Sequence, residues 1–507
     1  MNLKSNPRTS RALSRLTHSR LIVFSLSTLL WLLAMQPSHA GSATWSAIPI
    51  SGDWNTAANW IPATVPNGAS DTATFAISNL TNVSISAFTT LDGITFDPQA
   101  SAFTISNGSQ VVEMFGAGIT NNSGITQNFV IPNFEIFFFN KATAGNRTVF
   151  TMSNDVFQSG SVAFVNESTA GTASFIMLGG AANHGQGGYV VFENKATAAD
   201  GAFATYGASV DGAVGGFILF EDTSSAGNAT IVNNDSPVIG GGGLTLFLDD
   251  STGEKARLKM IGQGKVNIID HNSPGVTVGS IEGNGFVSLG MNTLTVGTND
   301  LSTTFSGLIQ DGIIGGAGGA LVKIGYGQLT LKGANTYTGS TTVRGGTLLV
   351  NNMTGSGTGS GPVQIAAGTL AGNGTMTGPV IVASATVPAM IAPGGEKKFG
   401  TLTTLSLLTL NSLARCEIDL NSVLGIADQL VANGVTINSG AKARIVDPGT
   451  GTLSTGTVFT IINNTATTPI TGTFSNLADG STLTLGSNNY QVSYEGGDGN
   501  DLTLTVQ

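Results

Sequence analysis

Cysteine is all but missing from this 507-residue chain: Cys416 stands alone, so no disulfide can close within it. In "ARCEIDL" it alternates with Arg415 and Glu417, which places it on the apolar side of a strand as a buried, inert thiol. Charge is scarce, at 10% Asp, Glu, Lys and Arg, and aromatic residues make up 7%. Hydrophobic residues nonetheless reach 41%, enough for a sizeable core and too many for wholesale disorder. Beyond residue 40 the histidines are His184 and His271, so far apart that neither a metal centre nor a catalytic triad is indicated. No stretch after residue 40 repeats apolar residues at i, i+3, i+4 and i+7, which excludes helical solenoids. No second run is long and apolar enough to span a bilayer.

What is abundant is glycine, 70 residues of it, set among threonine and β-branched or small apolar residues. That mixture suits strands joined by sharp corners. In "GQLTLKGANTYTGSTTVRGGTLLVNN", Gly327 to Asn352, alternation sends Leu329 and Leu331 inward and Thr330 and Lys332 outward. Val343, Leu348 and Val350 continue the inward set. Gly333, Gly339, Gly345 and Gly346 mark corners where positive φ is expected. Asn335, Asn351 and Asn352 suit the same bends and can form polar ladders between stacked coils.

The first forty residues are of another kind. Lys4, Arg8, Arg11, Arg15 and Arg20 precede the apolar run Leu21 to Met35, and "QPSHA" follows with small residues at Ser38 and Ala40. This is the pattern of a secretory signal cleaved after Ala40. The apolar run is shorter than the roughly 20 residues a membrane span needs. Removing five basic residues leaves 15 Lys and Arg against 30 Asp and Glu, a balance that disfavours nucleic acid and anionic membrane as partners.

Self-similarity sets the fold expectation. "FFNKATAGNRTV", "FVNESTAGTASF", "FENKATAADGAF", "FEDTSSAGNATI" and "FLDDSTGEKARL" begin at Phe138, Phe164, Phe192, Phe220 and Phe247. A period near 27 residues holds about three short strands and is too short for a βαβ unit. The expected fold is all-β: a right-handed parallel β-helix, a solenoid with about three short strands per coil. At that period the residues after 40 would make roughly 17 coils and a rod of about 80 Å. Trp45, Trp54 and Trp60 cluster at its start, where they cap the open end or, alternatively, offer a platform for sugars.

The stretch Gly318 to Asn352 closely resembles the autotransporter-associated β-strand repeat, also called the passenger-associated transport repeat. Its most specific part is Leu329 to Gly339, "LTLKGANTYTG". The following "GSGPVQIAAGTLAGNGTMTGPVIV" and the Trp-rich "GDWNTAANWIPATVPNGASDTATF" are also similar to passenger regions. The resemblance implies a secreted β-helical passenger whose repeat is associated with export. The residues after Asn352 keep the same Gly, Thr, Leu and Val texture and end in Gln507, so no translocator barrel is recognisable.

Candidate chemistry is sparse. Asp249 and Asp250, "NHG" at Asn183 to Gly185, and "RLK" at Arg257 to Lys259 resemble fragments of polygalacturonase motifs, in the wrong order and without an Asn-Thr-Asp element. Repeat alignment instead places Asp249 in a turn column with Asn140, Asn166, Asn194 and Asp222. Asp250 follows Lys141, Glu167, Lys195 and Thr223 in the next column. Glu221, Asp222, Asp249 and Asp250 then meet on adjacent coils, as a solvated acidic face or a site for a hard cation or an acid–base pair. "GGDGNDLTL", Gly496 to Leu504, follows a calcium-binding nonapeptide through Asp501, but in one copy, which favours a turn. "VIGGGGLTL", Val238 to Leu246, precedes no Lys-Ser/Thr pair and is not a phosphate loop.

The chain is therefore read as a signal peptide (1–40), a Trp-rich cap with first coils (41–130), and a repeat region (131–317). The export-associated repeat (318–352) and C-terminal coils with terminal strands (353–507) follow. The expected function is an exported, non-enzymatic passenger-like protein of the cell surface, extracellular space or periplasm, serving adhesion or a structural role. No catalytic, cofactor or metal residue is assigned. Glycans and cell-surface components are the expected partners, and a polysaccharide hydrolase or lyase is the alternative.

Overall fold

A computed structural model describes residues 41–153, 159–312, 316–395 and 398–507, so the expected signal segment lies outside the described residues. Strands dominate, and helix among the described residues is one short turn, Ala57–Asn59. The strands stack in parallel as a β-solenoid of about 15 turns. Three faces make up each coil. The first is a 13-stranded sheet that starts at Trp60–Ile61 and Ala43–Trp45 and ends at Leu308–Gln310. The second is a ladder running from Asn82–Ser84 to Lys442–Val446. The third is at first a single bridge per coil, through Gly118, Thr143, Thr169, Thr197, Ser225 and Thr252. From Gly275–Val278 it widens into an eight-stranded sheet ending at Val435–Ile437.

The phenylalanines that lead the repeats lie in one file. Phe138, Phe164, Phe192, Phe220 and Phe247 pair in register across successive strands. Their rings stack at 4.9, 4.8, 5.0 and 4.9 Å. A second file, Phe129, Phe150, Phe175 and Phe203, rises on the opposite wall. The two meet edge to face, Phe164 against Phe175 at 5.8 Å and 81°. Each buried ring contributes about 1.5–3 kcal/mol by burial, and each aromatic pair roughly 0.5–1.5 kcal/mol more.

Coil length is not constant along the rod. The 26- to 28-residue period holds between Phe138 and Phe247, where the connections Leu178–Gly188 and Tyr206–Gly216 bulge between the second and first faces. From Met260 to Lys265 that connection shrinks to four residues, and Leu329 sits over Leu348 only 19 residues later. The estimate of 17 coils fails because both ends spend residues outside the stack. At the start, Trp60–Ile61 folds back antiparallel on Ala43–Trp45. At the far end, Val458–Asn464, Asp501–Val506, Asn488–Gly496 and Thr482–Leu485 pair antiparallel. Reversing strand direction there breaks the parallel template that a bare coil would present.

Trp45, Trp54 and Trp60 are 0–1% exposed and pack on one another and on Phe75. Their indole N–H groups donate to the carbonyls of Leu80, Pro66 and Trp54. No ring face is left for a sugar, so the platform alternative is overturned.

Candidate functional site

The repeat turns hold the acidic candidates Glu221, Asp222, Asp249 and Asp250. After each leading Phe the next side chain points out, and the third residue turns the chain. Asn140, Asn166, Asn194, Asp222 and Asp249 have φ of 58, 65, 56, 54 and 51°. Asn and Asp tolerate this left-handed conformation better than other non-glycine residues. Their side chains tie coil to coil. Asn166 Oδ1 accepts the Asn140 N–H at 3.2 Å, and Asn194 Oδ1 accepts that of Asn166 at 3.1 Å. Asp222 Oδ2 accepts both the N–H and Nδ2 of Asn194 at 2.9 Å, and Asp249 Oδ2 accepts the Asp222 N–H at 3.1 Å.

Those bonds occupy the carboxylates. Asp250 Oδ1 accepts from Asn272 Nδ2 at 3.2 Å, one coil on. Glu221, Asp222, Asp249 and Asp250 do lie on adjacent coils. Among the described residues, however, no three His, Cys, Asp or Glu side chains converge as metal ligands would. Of the column Lys141, Glu167 and Lys195, Lys141 and Glu167 pair across one coil step, 3.7 Å apart and solvent-exposed. The polygalacturonase-like fragments scatter: Asn183–Gly185 in a corner loop, Asp249 beyond the opposite strand end, and Arg257 on the second face, ion-paired with Glu282 at 2.8 Å.

The remaining motifs are structural. Gly496 faces Asp501 in a tight turn between two antiparallel strands, and Asp501 Oδ1 accepts the Asn464 N–H at 2.9 Å. A Cβ on Gly242 would collide with the Gln263 carbonyl and one on Gly243 with Thr205, so that glycine run permits close coil contact. His184 has φ of 62° in its loop, and His271 places its ring nitrogens 2.6 and 2.7 Å from the carbonyl oxygens of Asn272 and Ser251. Cys416 is fully buried, and burial pushes its thiol up to about 12.

The stretch after Gly318 holds a polar network of its own. Leu329, Leu331, Val343, Leu348 and Val350 are buried as alternation requires. Thr330 departs from expectation: it is 4% exposed, its hydroxyl accepting from Gln328 Nε2. Of the four glycines expected at positive φ, Gly346 alone shows it, at 62°. Gly333 and Gly339 serve close approach instead, since a Cβ there would strike the carbonyls of Gly307 and Gly318. Asn335 caps the end of the first face: its Oδ1 accepts the Ile309 N–H at 2.8 Å while Nδ2 donates to Gly357 O at 2.7 Å. Asp311 accepts from the Gly319 N–H at 3.1 Å and the Thr338 hydroxyl at 2.7 Å, pinning the turn that carries buried Tyr337.

Lys323 was missed by sequence reasoning, although alternation from Leu321 already pointed it inward. It is 2% exposed, and its Nζ donates to the carbonyls of Ile324, Gly325 and Gly345 at 2.5, 3.5 and 3.4 Å. Burial lowers its pKa, opposed by the nearby charge of Asp300.

This network coincides with a known sequence family: the passenger-associated-transport-repeat matches residues 321–350. The chain is autotransporter-passenger-like. Over 109 residues, 21% of its length, it is 38% identical to the adhesin BmaC autotransporter of Brucella suis biovar 1 (strain 1330). It spans 3% of that relative. The Haemophilus influenzae Hap adhesin crystal structure aligns over 86% of this chain and 64% of its own, with 10% identity and a TM-score of 0.25. Within the transport repeat Lys323, Asn335 and Tyr337, with Asp311 just before it, thus hold a shortened coil in the rod.

Proposed function

We propose that this passenger-like chain is an exported, non-enzymatic rod acting at the cell surface, in adhesion or as a structural element, with glycans or other cell-surface components as partners. The observation that carries the reading is the transport repeat itself, built without interruption into a stack of parallel coils. The similarity of 109 residues to an autotransporter adhesin supports it. So does the use of Asp222 and Asp249 as turn acceptors, which leaves these carboxylates engaged with backbone N–H groups.

Protease shaving of intact cells, with assay of the medium, tests the location. Loss of the protein on shaving or its presence in the medium is the expected result, and full protection inside the periplasm would overturn it. Purified protein incubated with polysaccharide should bind without releasing reducing ends or unsaturated products. Release of either would establish the hydrolase or lyase alternative.

A further inference from the structure

Four sheet margins are closed by hydrogen bonds from outside the sheet. At the end of the first face Asn335 takes the Ile309 N–H. At the end of the second, Asn476 accepts the Ala443 N–H through Oδ1 at 3.0 Å and donates from Nδ2 to the Ala443 carbonyl at 2.7 Å. At the end of the third, the Thr471 carbonyl accepts the Ile437 N–H at 2.8 Å, and the Thr471 N–H donates to Val435 O at 3.0 Å. The fourth sheet, whose antiparallel strands close the rod, starts at Thr375–Met376. There Asn352 Oδ1 accepts the Thr375 N–H at 3.0 Å, and the Gly357 N–H donates to Thr375 O at 2.9 Å. The other margin of this sheet is Thr482–Leu485, and among the described residues no strand pairs with its outer side.

The register fixes which backbone groups face outward. Leu483 lies opposite Tyr490 and Thr484 opposite Asn489. The Val492 N–H donates to Ser481 O, and on the far side the Gln507 N–H donates to Asn489 O, both at 2.9 Å. Ladder bonds alternate along an antiparallel pair, so Leu483 and Leu485 direct their N–H and C=O toward the inner neighbour. Those of Thr482 and Thr484 point away from the sheet, and both residues are exposed. Leu483 and Leu485 are half-buried and pack on the core. Exposed edges are usually guarded by lysine, proline or a bulge. This one has none of them: Gly480 to Tyr494 contains no charged residue and no proline, and the pairing with Asn488–Gly496 shows no register shift along Thr482–Leu485.

We infer that Thr482–Leu485 is a self-association edge, which pairs antiparallel with the same segment of a second copy of this chain. The segment is complementary to itself. A twofold axis through Thr484 sets Thr484 against its counterpart, and Leu483 against Leu485 of the second copy in both directions. Leucines then continue on one side of the joined sheet and threonines on the other, with backbone N–H and C=O groups exchanged at Thr484. Charge points to the same occupant. The chain carries a net charge of −10, so two copies repel over most of their surface. An uncharged edge is where their backbones can approach to the roughly 4.8 Å of adjacent strands. Because the contact is isologous, it closes at two copies and does not propagate into fibres. It holds whether or not the rod serves adhesion.

Sedimentation of the purified protein over about a hundredfold range of concentration tests this, and a monomer–dimer equilibrium is expected. Thr484→Lys and Thr484→Glu each place like charges face to face on the axis, and each should weaken dimerisation about tenfold or more. Mixing the two variants should restore it as a heterodimer, which a folding defect could not do. Thr401→Lys puts the same charge on an exposed threonine of a strand paired on both sides, and should change dimerisation less than about twofold. In the parent, amide exchange at Thr482 and Thr484 should slow about tenfold between the dilute and concentrated samples. A parent that stays monomeric throughout would overturn the inference and leave the edge to a strand of another protein. So would a dimer that Thr484→Lys leaves intact, an equal loss in Thr401→Lys, or no recovery on mixing. Failure of surface display leaves these results standing, and a monomer leaves the display reading standing.

Discussion

Phe164 and Phe192, 28 residues apart in sequence, lie with ring centroids 4.8 Å apart and planes within 6° of parallel. That separation is the spacing of adjacent strands, so one stacked pair reports the whole coil geometry.

Truncating that file tests how the rod is held. Phe192→Ala removes a fully buried ring from contact with Phe164, Phe220 and Phe203. The expected cost is about 3–5 kcal/mol in denaturant unfolding. Phe192→Leu should cost distinctly less, because it refills most of the volume.

The turn ladder separates strain from hydrogen bonding. Asn194→Ala keeps a β-carbon at φ 56° without the side-chain amide that lets Asn tolerate that conformation, and removes the acceptor for the Asn166 N–H. It should destabilise by about 1–2 kcal/mol. Asn194→Gly relaxes the backbone but leaves the N–H unpaired, so it should recover only part of that loss. Full recovery would show that the ladder bond contributes nothing.

Lys323 anchors the transport repeat through three backbone carbonyls. Lys323→Met keeps the apolar stem and deletes the donors, leaving buried carbonyls without them. A loss of about 2–3 kcal/mol is expected, with faster amide exchange at Gly345 and Gly346. Unchanged stability and exchange would count against the anchoring role.

Asp428 makes stability depend on pH. It is 2% exposed and accepts the N–H groups of Gly400 and Asp419, yet its pKa is raised to about 7. Burial is the largest cause, with the charges of Asp419 and Glu417 adding to it. A folded pKa above the unfolded one means that this contribution is fully present below about pH 4. It is lost as pH rises through about 7. Thermal melts should therefore show stability falling between pH 4 and 7, and Asp428→Asn should flatten that slope.

Much of the fold was legible before any coordinates. The phase of Phe138, Phe164, Phe192, Phe220 and Phe247 could be read directly, because a solenoid repeats its contacts at a fixed chain interval. The Asn and Asp turn column emerged from the same alignment. Lys323 was overlooked because a lysine is ordinarily expected outside, and only the carbonyls gathered around its ammonium explain its burial.

The strand class, the coil period and the inward phenylalanines were determined by local pattern alone, since alternation and turn chemistry act over a few residues. Coil shortening after Phe247, the antiparallel closure at Asp501–Val506 and the gathering of carbonyls from two coils around buried Lys323 were decided by the tertiary structure. Each depends on which coil lies above which, and that stacking is a property of the assembled rod rather than of any single segment.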